Sequence, residues 1–246
     1  MEIDTTYIVP ILYEALVILI FIFVWSHLFV RWLKKRSSAS KKLMQTFGLY
    51  MISMFVSFWS QFNRNVVNYA LSPPVIADNL RYVYLLLVPI ANLSYYSFYL
   101  EIFENNFQKQ KINPIFIAYS LVIILLTVVF LSTPGWDVIG NLLMIIQGFF
   151  LFIPSMISTA SNFKRIEQSD EGRYAFLSLF IMSLFFMLTW LSFLFNAMWD
   201  NITGTRYGPI FYFAWTFILI AQVSGYIGFV FPATFRNLLK RRMRKE

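Results

Sequence analysis

The chain divides into seven apolar stretches separated by short polar segments, over 8–30, 43–63, 80–101, 113–132, 138–160, 174–199 and 208–231. Each is close to the ~20 residues that a helix needs to cross a bilayer core. The intervening segments are too short for a further domain. Residues 1–246 are therefore expected to form one all-α membrane domain of seven transmembrane helices, with consecutive helices mostly adjacent. The first stretch reads as a permanent helix rather than a signal peptide. Its flank, MEIDTTY, carries two acids and no base, its apolar run is longer than a signal core of roughly 7–15 residues, and no small-residue cleavage site follows.

Lysine and arginine give this array an orientation. Arg31, Lys34, Lys35, Arg36, Lys41 and Lys42 follow the first stretch, Lys109 and Lys111 the third, and Lys164, Arg165 and Arg173 the fifth. Arg236, Lys240, Arg241, Arg242, Arg244 and Lys245 follow the last. Of all 20 basic residues, only Arg64, Arg81 and Arg206 fall on the opposite side. An error of one helix would scramble this alternation, so the pattern predicts a cell-membrane protein with its N-terminus outside and its C-terminus in the cytoplasm. Beyond Pro232, Phe235, Leu238, Leu239 and Met243 recur at helical spacing among basic residues. Residues 233–246 are expected to form an amphipathic helix on the anionic cytoplasmic surface, or a simple stop-transfer charge cluster.

Polar side chains inside apolar runs are costly, and they face a bundle interior or a cavity. In the second stretch Tyr50, Ser53, Ser57, Ser60, Gln61 and Arg64 share one helical face. The third has Arg81, Tyr84, Asn92, Tyr95, Tyr96 and Tyr99 on a similar face; the sixth adds Thr189, Ser192 and Asn196, and the seventh Tyr212, Trp215, Gln222 and Tyr226. The fourth is nearly bare of strong polar groups and is expected at the lipid-facing periphery. Sorted by depth, Glu14, Ser57, Gln61, Arg64, Arg81, Tyr84, Asn196, Tyr212 and Trp215 lie in the outer half, with Gln147 and Trp190 nearer the middle. These eleven are the candidate ligand-binding residues of an amphipathic pocket. The same residue types also tie membrane helices together and populate interfacial belts.

Glu14 is the one acid well inside an apolar run, where its expected partners are Arg64, Arg81 or a cationic ligand. Glu101 and Glu104 read as a solvated helix end. Pro89 and Pro154 interrupt apolar runs and are candidate hinges. Ala214, Ala221, Gly225 and Gly228 form a seam for close helix packing. Asn201–Thr203 is a glycosylation-type sequon in an outer loop.

Composition narrows the chemistry. The chain is 59% apolar, 20% aromatic and 13% charged, against about 25% charged in a soluble domain. Its mean hydropathy is +0.63, and the bilayer is the solvent that suits it. The net charge of +8 then marks topology, and no nucleic-acid partner is expected. Cysteine is absent, which removes disulfides, thiolate nucleophiles and cysteine metal sites. His27 is the only histidine, too few for a zinc hydrolase, and no GxS-type motif accompanies it. The last stretch holds no lysine for a retinal Schiff base, and no phosphate-binding glycine loop occurs. No cofactor, metal or catalytic residue is expected.

Seven helices, an outer N-terminus, short loops and the segment FVFPATFRNLLKRR resemble the layout of G-protein-coupled receptors. The chain departs from that family in having no cysteines, EIFEN at the end of the third stretch, TWLS in the sixth, and FPATF without a preceding asparagine. It also resembles the seven-helix sensory regions of archaeal and bacterial signalling proteins. The resemblance carries over no site residues. It implies a receptor- or sensor-like protein in the lipid bilayer that binds a small apolar or amphipathic molecule, or a lipid, and signals through a cytoplasmic protein partner on the basic inner face. A small-solute carrier or channel, a structural subunit of a membrane complex, and a lipid-modifying enzyme using Glu14 or Glu101 are the alternatives.

Overall fold

In a computed structural model, the described residues are 8–67, 71, 73–80, 83–103, 114–130, 133, 136–165, 171–204 and 208–230. They form eight helices: α1 (Ile8–Lys35), α2 (Ser38–Asn65), α3 (Pro74–Leu80), α4 (Val83–Phe103), α5 (Pro114–Phe130), α6 (Trp136–Arg165), α7 (Glu171–Thr203) and α8 (Pro209–Val230). There is no strand among the described residues. Each apolar stretch has most of its residues in a different one of these helices. The short α3 is the addition, in a segment where the sequence predicts only a loop. Pro74 starts it at a position where a missing N–H costs nothing, and seven residues are too few to register as a membrane-length pattern. Arg81 and the expected amphipathic tail, 233–246, lie outside the described residues.

Five helices, α1, α4, α6, α7 and α8, are long and apolar enough to cross a membrane, marking a multi-pass membrane protein. The other two long helices fall short for opposite reasons. α2 has 28 residues, but serines, Gln45, Gln61, Asn63 and Arg64 break its apolar character. α5 is strongly apolar but has only 17 residues.

The main contacts run α1–α2–α4–α6–α7–α8 and back to α1, closing a ring. The most extensive pairing is α7 on α8. The seam expected on α8 explains it: a Cβ on Gly228 would sit 2.8 Å from the Ala175 carbonyl oxygen, and one on Gly225 would sit 2.5 Å from Met182 Sδ. α5 packs mainly on α4 and α6, outside the ring, and exposes Leu121, Leu125, Val128 and Val129.

Between α1 and α2 the chain reverses in two residues. Arg36 adopts a left-handed conformation (φ 51°), donates its N–H to the Trp32 carbonyl at 2.7 Å and lays its guanidinium over the Trp32 ring. Ser37 then caps α2 by accepting from the Ser40 N–H. At the same end of the bundle, Lys42 pairs with Glu101 at 2.8 Å and donates to the Ser97 carbonyl, while Ser38 donates to Glu101 at 2.8 Å. Glu101, expected as a solvated helix end, is thus a partly buried clamp between α2 and α4. Arg31 donates to the Val230 carbonyl at 2.8 Å and covers the Phe229 ring, which joins α1 to the end of α8.

α4 and α6 continue through Pro89 and Pro154. A proline has no N–H, so each leaves a carbonyl one turn back without its helical donor. Several large side chains are buried towards the Lys42–Glu101 end. Phe21, Phe47, Phe98 and Phe152 are fully buried, and Tyr95, Ser155 and Ser183 form a hydroxyl triangle with sides of 2.9, 3.2 and 3.0 Å linking α4, α6 and α7.

Candidate ligand-binding cavity

At the other end, where α1, α4, α6 and α8 begin and α2 and α7 finish, the side chains do not fill the ring. A cavity of about 140 Å³ lies between α2, α4, α6, α7 and α8. One ordered water needs ~10–15 Å³, so the space suits a small organic molecule.

The register of α7 builds one wall. Phe186, Trp190, Phe193, Ala197 and Asp200 follow one another at steps of three or four and line the cavity in succession. α7 stops shortly beyond, at Gly204, whose φ of +68° lets its N–H reach the Asp200 carbonyl at 2.8 Å. α8 opposes this wall with Phe211, Trp215 and Ile218, and α2 contributes Tyr50, Ser53, Met54, Ser57 and Gln61. Asn196 of α7, Tyr84 and Val88 of α4 and Asn141 of α6 complete the lining, with the Asn141 amide donating to the Tyr84 hydroxyl at 3.2 Å.

The wall is mostly aromatic. Trp190 lies 5.9 Å from Phe193, Phe193 meets Trp215 edge-on at 6.1 Å, and Trp215 lies 6.1 Å from Phe211. The indole nitrogens of Trp190 and Trp215 are buried, with no hydrogen-bond partner among the described residues. The cavity therefore meets their carbon rings rather than their N–H groups. Tyr50 and Phe186, 5.3 Å apart, close the floor.

Of the eleven residues expected to bind a ligand, Ser57, Gln61, Tyr84, Trp190, Asn196 and Trp215 line this cavity. Glu14 lies behind it, fully buried, accepting from the Gln61 amide at 3.4 Å; the same amide donates to Ser57 at 3.3 Å. Gln147 sits deeper, donating to Ser120 at 2.6 Å and accepting from Asn92 at 2.7 Å. Tyr212 turns towards α1, its ring 5.6 Å from Tyr13. Arg64, in the last turn of α2, is outside the wall, and Arg81 is not among the described residues.

Sequence reasoning missed Asn141 and Asp200. Asp200 follows immediately after the stretch 174–199 and so reads as loop, yet extending the spacing of Trp190 and Phe193 by two turns reaches it. Phe186, Phe193 and Phe211 carried no signal in a chain with 28 phenylalanines.

Two other motifs change meaning. The sequon lies in the last turn of α7, where the Asn201 amide donates to the Ala197 carbonyl at 2.8 Å and Thr203 donates to the Trp199 carbonyl at 2.8 Å. His27 sits exposed on α1 against the rings of Phe23 and Tyr226. No cluster of three or more metal-ligating side chains occurs among the described residues. No family model, curated protein or solved structure matches this chain.

Proposed function

We propose that this protein is a receptor- or sensor-like membrane protein in which all seven long helices span the bilayer, with the N-terminus outside. A small apolar or amphipathic ligand occupies the cavity from the outer side. The observation that carries this reading is the lining of the cavity. Its wall is aromatic with a few oriented polar groups, as in sites for small molecules. At its floor Tyr50 meets Phe186, which stacks on Phe152 at 5.5 Å, and Phe47, Tyr95 and Phe152 are buried. A carrier or channel needs a path to the far side, and the stacked rings of Phe186 and Phe152 stand across one.

The floor also supplies a route for a signal. Tyr50 belongs both to the cavity and to a hydrogen-bonded chain that reaches α4, α6 and α5. A ligand that shifts Tyr50 biases that chain, and α4 and α6, each short of one helical hydrogen bond at Pro89 and Pro154, can bend in response. The basic inner face, with the expected amphipathic tail, is where a cytoplasmic partner docks.

Native mass spectrometry with lipid analysis, on protein purified in mild detergent, tests this reading. One co-purifying ligand, lost on Gln61→Ala or Trp215→Ala, is the expected result. A ligand-free protein with a stoichiometric membrane partner would instead favour a complex subunit. Solute flux in liposomes that depends on Gln61 or Asn92 would favour the carrier.

A further inference from the structure

The charge on the cavity wall narrows the ligand class. Among the described residues that line the cavity, Asp200 is the only one carrying a formal charge. It has no ion pair among the described residues. It also stands at an unfavourable place for an acid. The end of a helix carries partial negative charge from its free carbonyls, and the last turn of α7 holds no basic residue. A cation placed there gains from both the carboxylate and the helix end.

The rest of the wall suits the same ligand. Asp200 shares its helical face with Phe193 and Trp190, roughly 10 and 15 Å further down the axis at 1.5 Å per residue. Trp215 and Phe211 face them from α8. Aromatic ring faces attract organic cations, tryptophan most strongly, and the indole N–H groups that would repel a cation are turned away from the space. An anion would meet a carboxylate and no basic side chain among the described lining residues.

We infer that the cavity takes an organic cation, a protonated or quaternary amine with an apolar body. Its head lies at Asp200 and its body among Trp190, Phe193, Phe211 and Trp215. This rests on the cavity being a ligand site, and it adds the sign of the ligand's charge.

The test uses three compounds with one apolar body and different heads: phenylbutylamine, phenylbutanol and phenylbutanoate. Binding to the full chain is measured by ligand-observed NMR in uncharged maltoside micelles, each compound corrected against protein-free micelles. The amine is expected to bind roughly tenfold more tightly than the alcohol, with the acid weakest. Asp200→Asn should abolish the preference for the amine over the alcohol, while Asp200→Glu should keep it. Equal or tighter binding of the alcohol or the acid by the unsubstituted protein overturns the inference and leaves the cavity as a ligand site. If the amine preference survives in Asp200→Asn, the assignment of the head to Asp200 is overturned. Binding of none of the three counts against both the inference and the function on which it rests.

Discussion

The Tyr50 hydroxyl on α2 donates to the side-chain carbonyl of Asn92 on α4. Asn92 passes its own amide to Gln147, Gln147 passes its amide to Ser120, and Ser120 ends the chain on the Phe116 carbonyl at 2.8 Å. Every donor points the same way, so four helices are tied by one directional string. Asn92, Gln147 and Ser120 are each fully buried.

Removing the middle of this string leaves two buried groups without partners at once. Asn92→Leu is expected to lower stability by about 1–3 kcal/mol, tempered because the unfolded chain in a membrane also finds partners. Gln147→Leu should behave similarly, and the double variant should cost less than the sum of the two. Thermal melting of the four proteins in one detergent checks this. Strict additivity would show that the string does not act as a unit.

The glycines of α8 should differ in tolerance. Gly228→Ala forces its Cβ against a backbone carbonyl, which can give way only if α7 and α8 separate, and about 1–3 kcal/mol is expected. Gly225→Ala meets mainly the Met182 thioether, which can change rotamer, so its cost should be the smaller. The same melting assay ranks them, and the reverse order would argue against this helix pairing.

Lys42 and Glu101 keep 33% and 24% exposure, so their ion pair should contribute no more than about 1 kcal/mol. Glu101→Gln should be mild and become milder at high salt. Exchanging the two residues, Lys42→Glu with Glu101→Lys, should recover most of whatever either reversal alone loses. A large loss on Glu101→Gln would mean that the carboxylate does more than clamp α2 to α4.

Asn201 should remain unmodified in a secretory host. Its amide is engaged within α7, and a glycan acceptor must present that nitrogen on an accessible loop. A glycosidase-sensitive mobility shift, lost on Asn201→Gln, would show instead that the last turn of α7 opens during synthesis.

The proposed orientation has a clean test because the chain contains no cysteine. Ser37→Cys, in the turn between α1 and α2, should react with an impermeant maleimide only after cells are opened. Asn201→Cys should react in intact cells. The opposite pattern would invert the topology read from the lysines and arginines.

The positions of the long helices were legible along the chain because a bilayer-length apolar run is a local, one-dimensional signal. The polar stripe of α2 was legible for the same reason: residues three and four apart share a face wherever the helix goes. What these faces meet is not local. Gln61 and Gln147 are both amides inside apolar runs, yet one lines the cavity and the other is a middle link of a hydrogen-bonded string two helices away. Glu101 reads as a solvated end until α2 brings Lys42 and Ser38 to it. Asp200 lies one residue beyond an apolar stretch, and only the continuation of α7 to its Gly204 cap turns it towards the aromatic wall. Local hydropathy determined which segments become membrane-type helices. The packing of α7 on α8, and the closing of the ring by α1, decided where the bundle fails to fill. That depends on side-chain volumes contributed by five separate helices at one level, a sum that no single stretch of sequence contains.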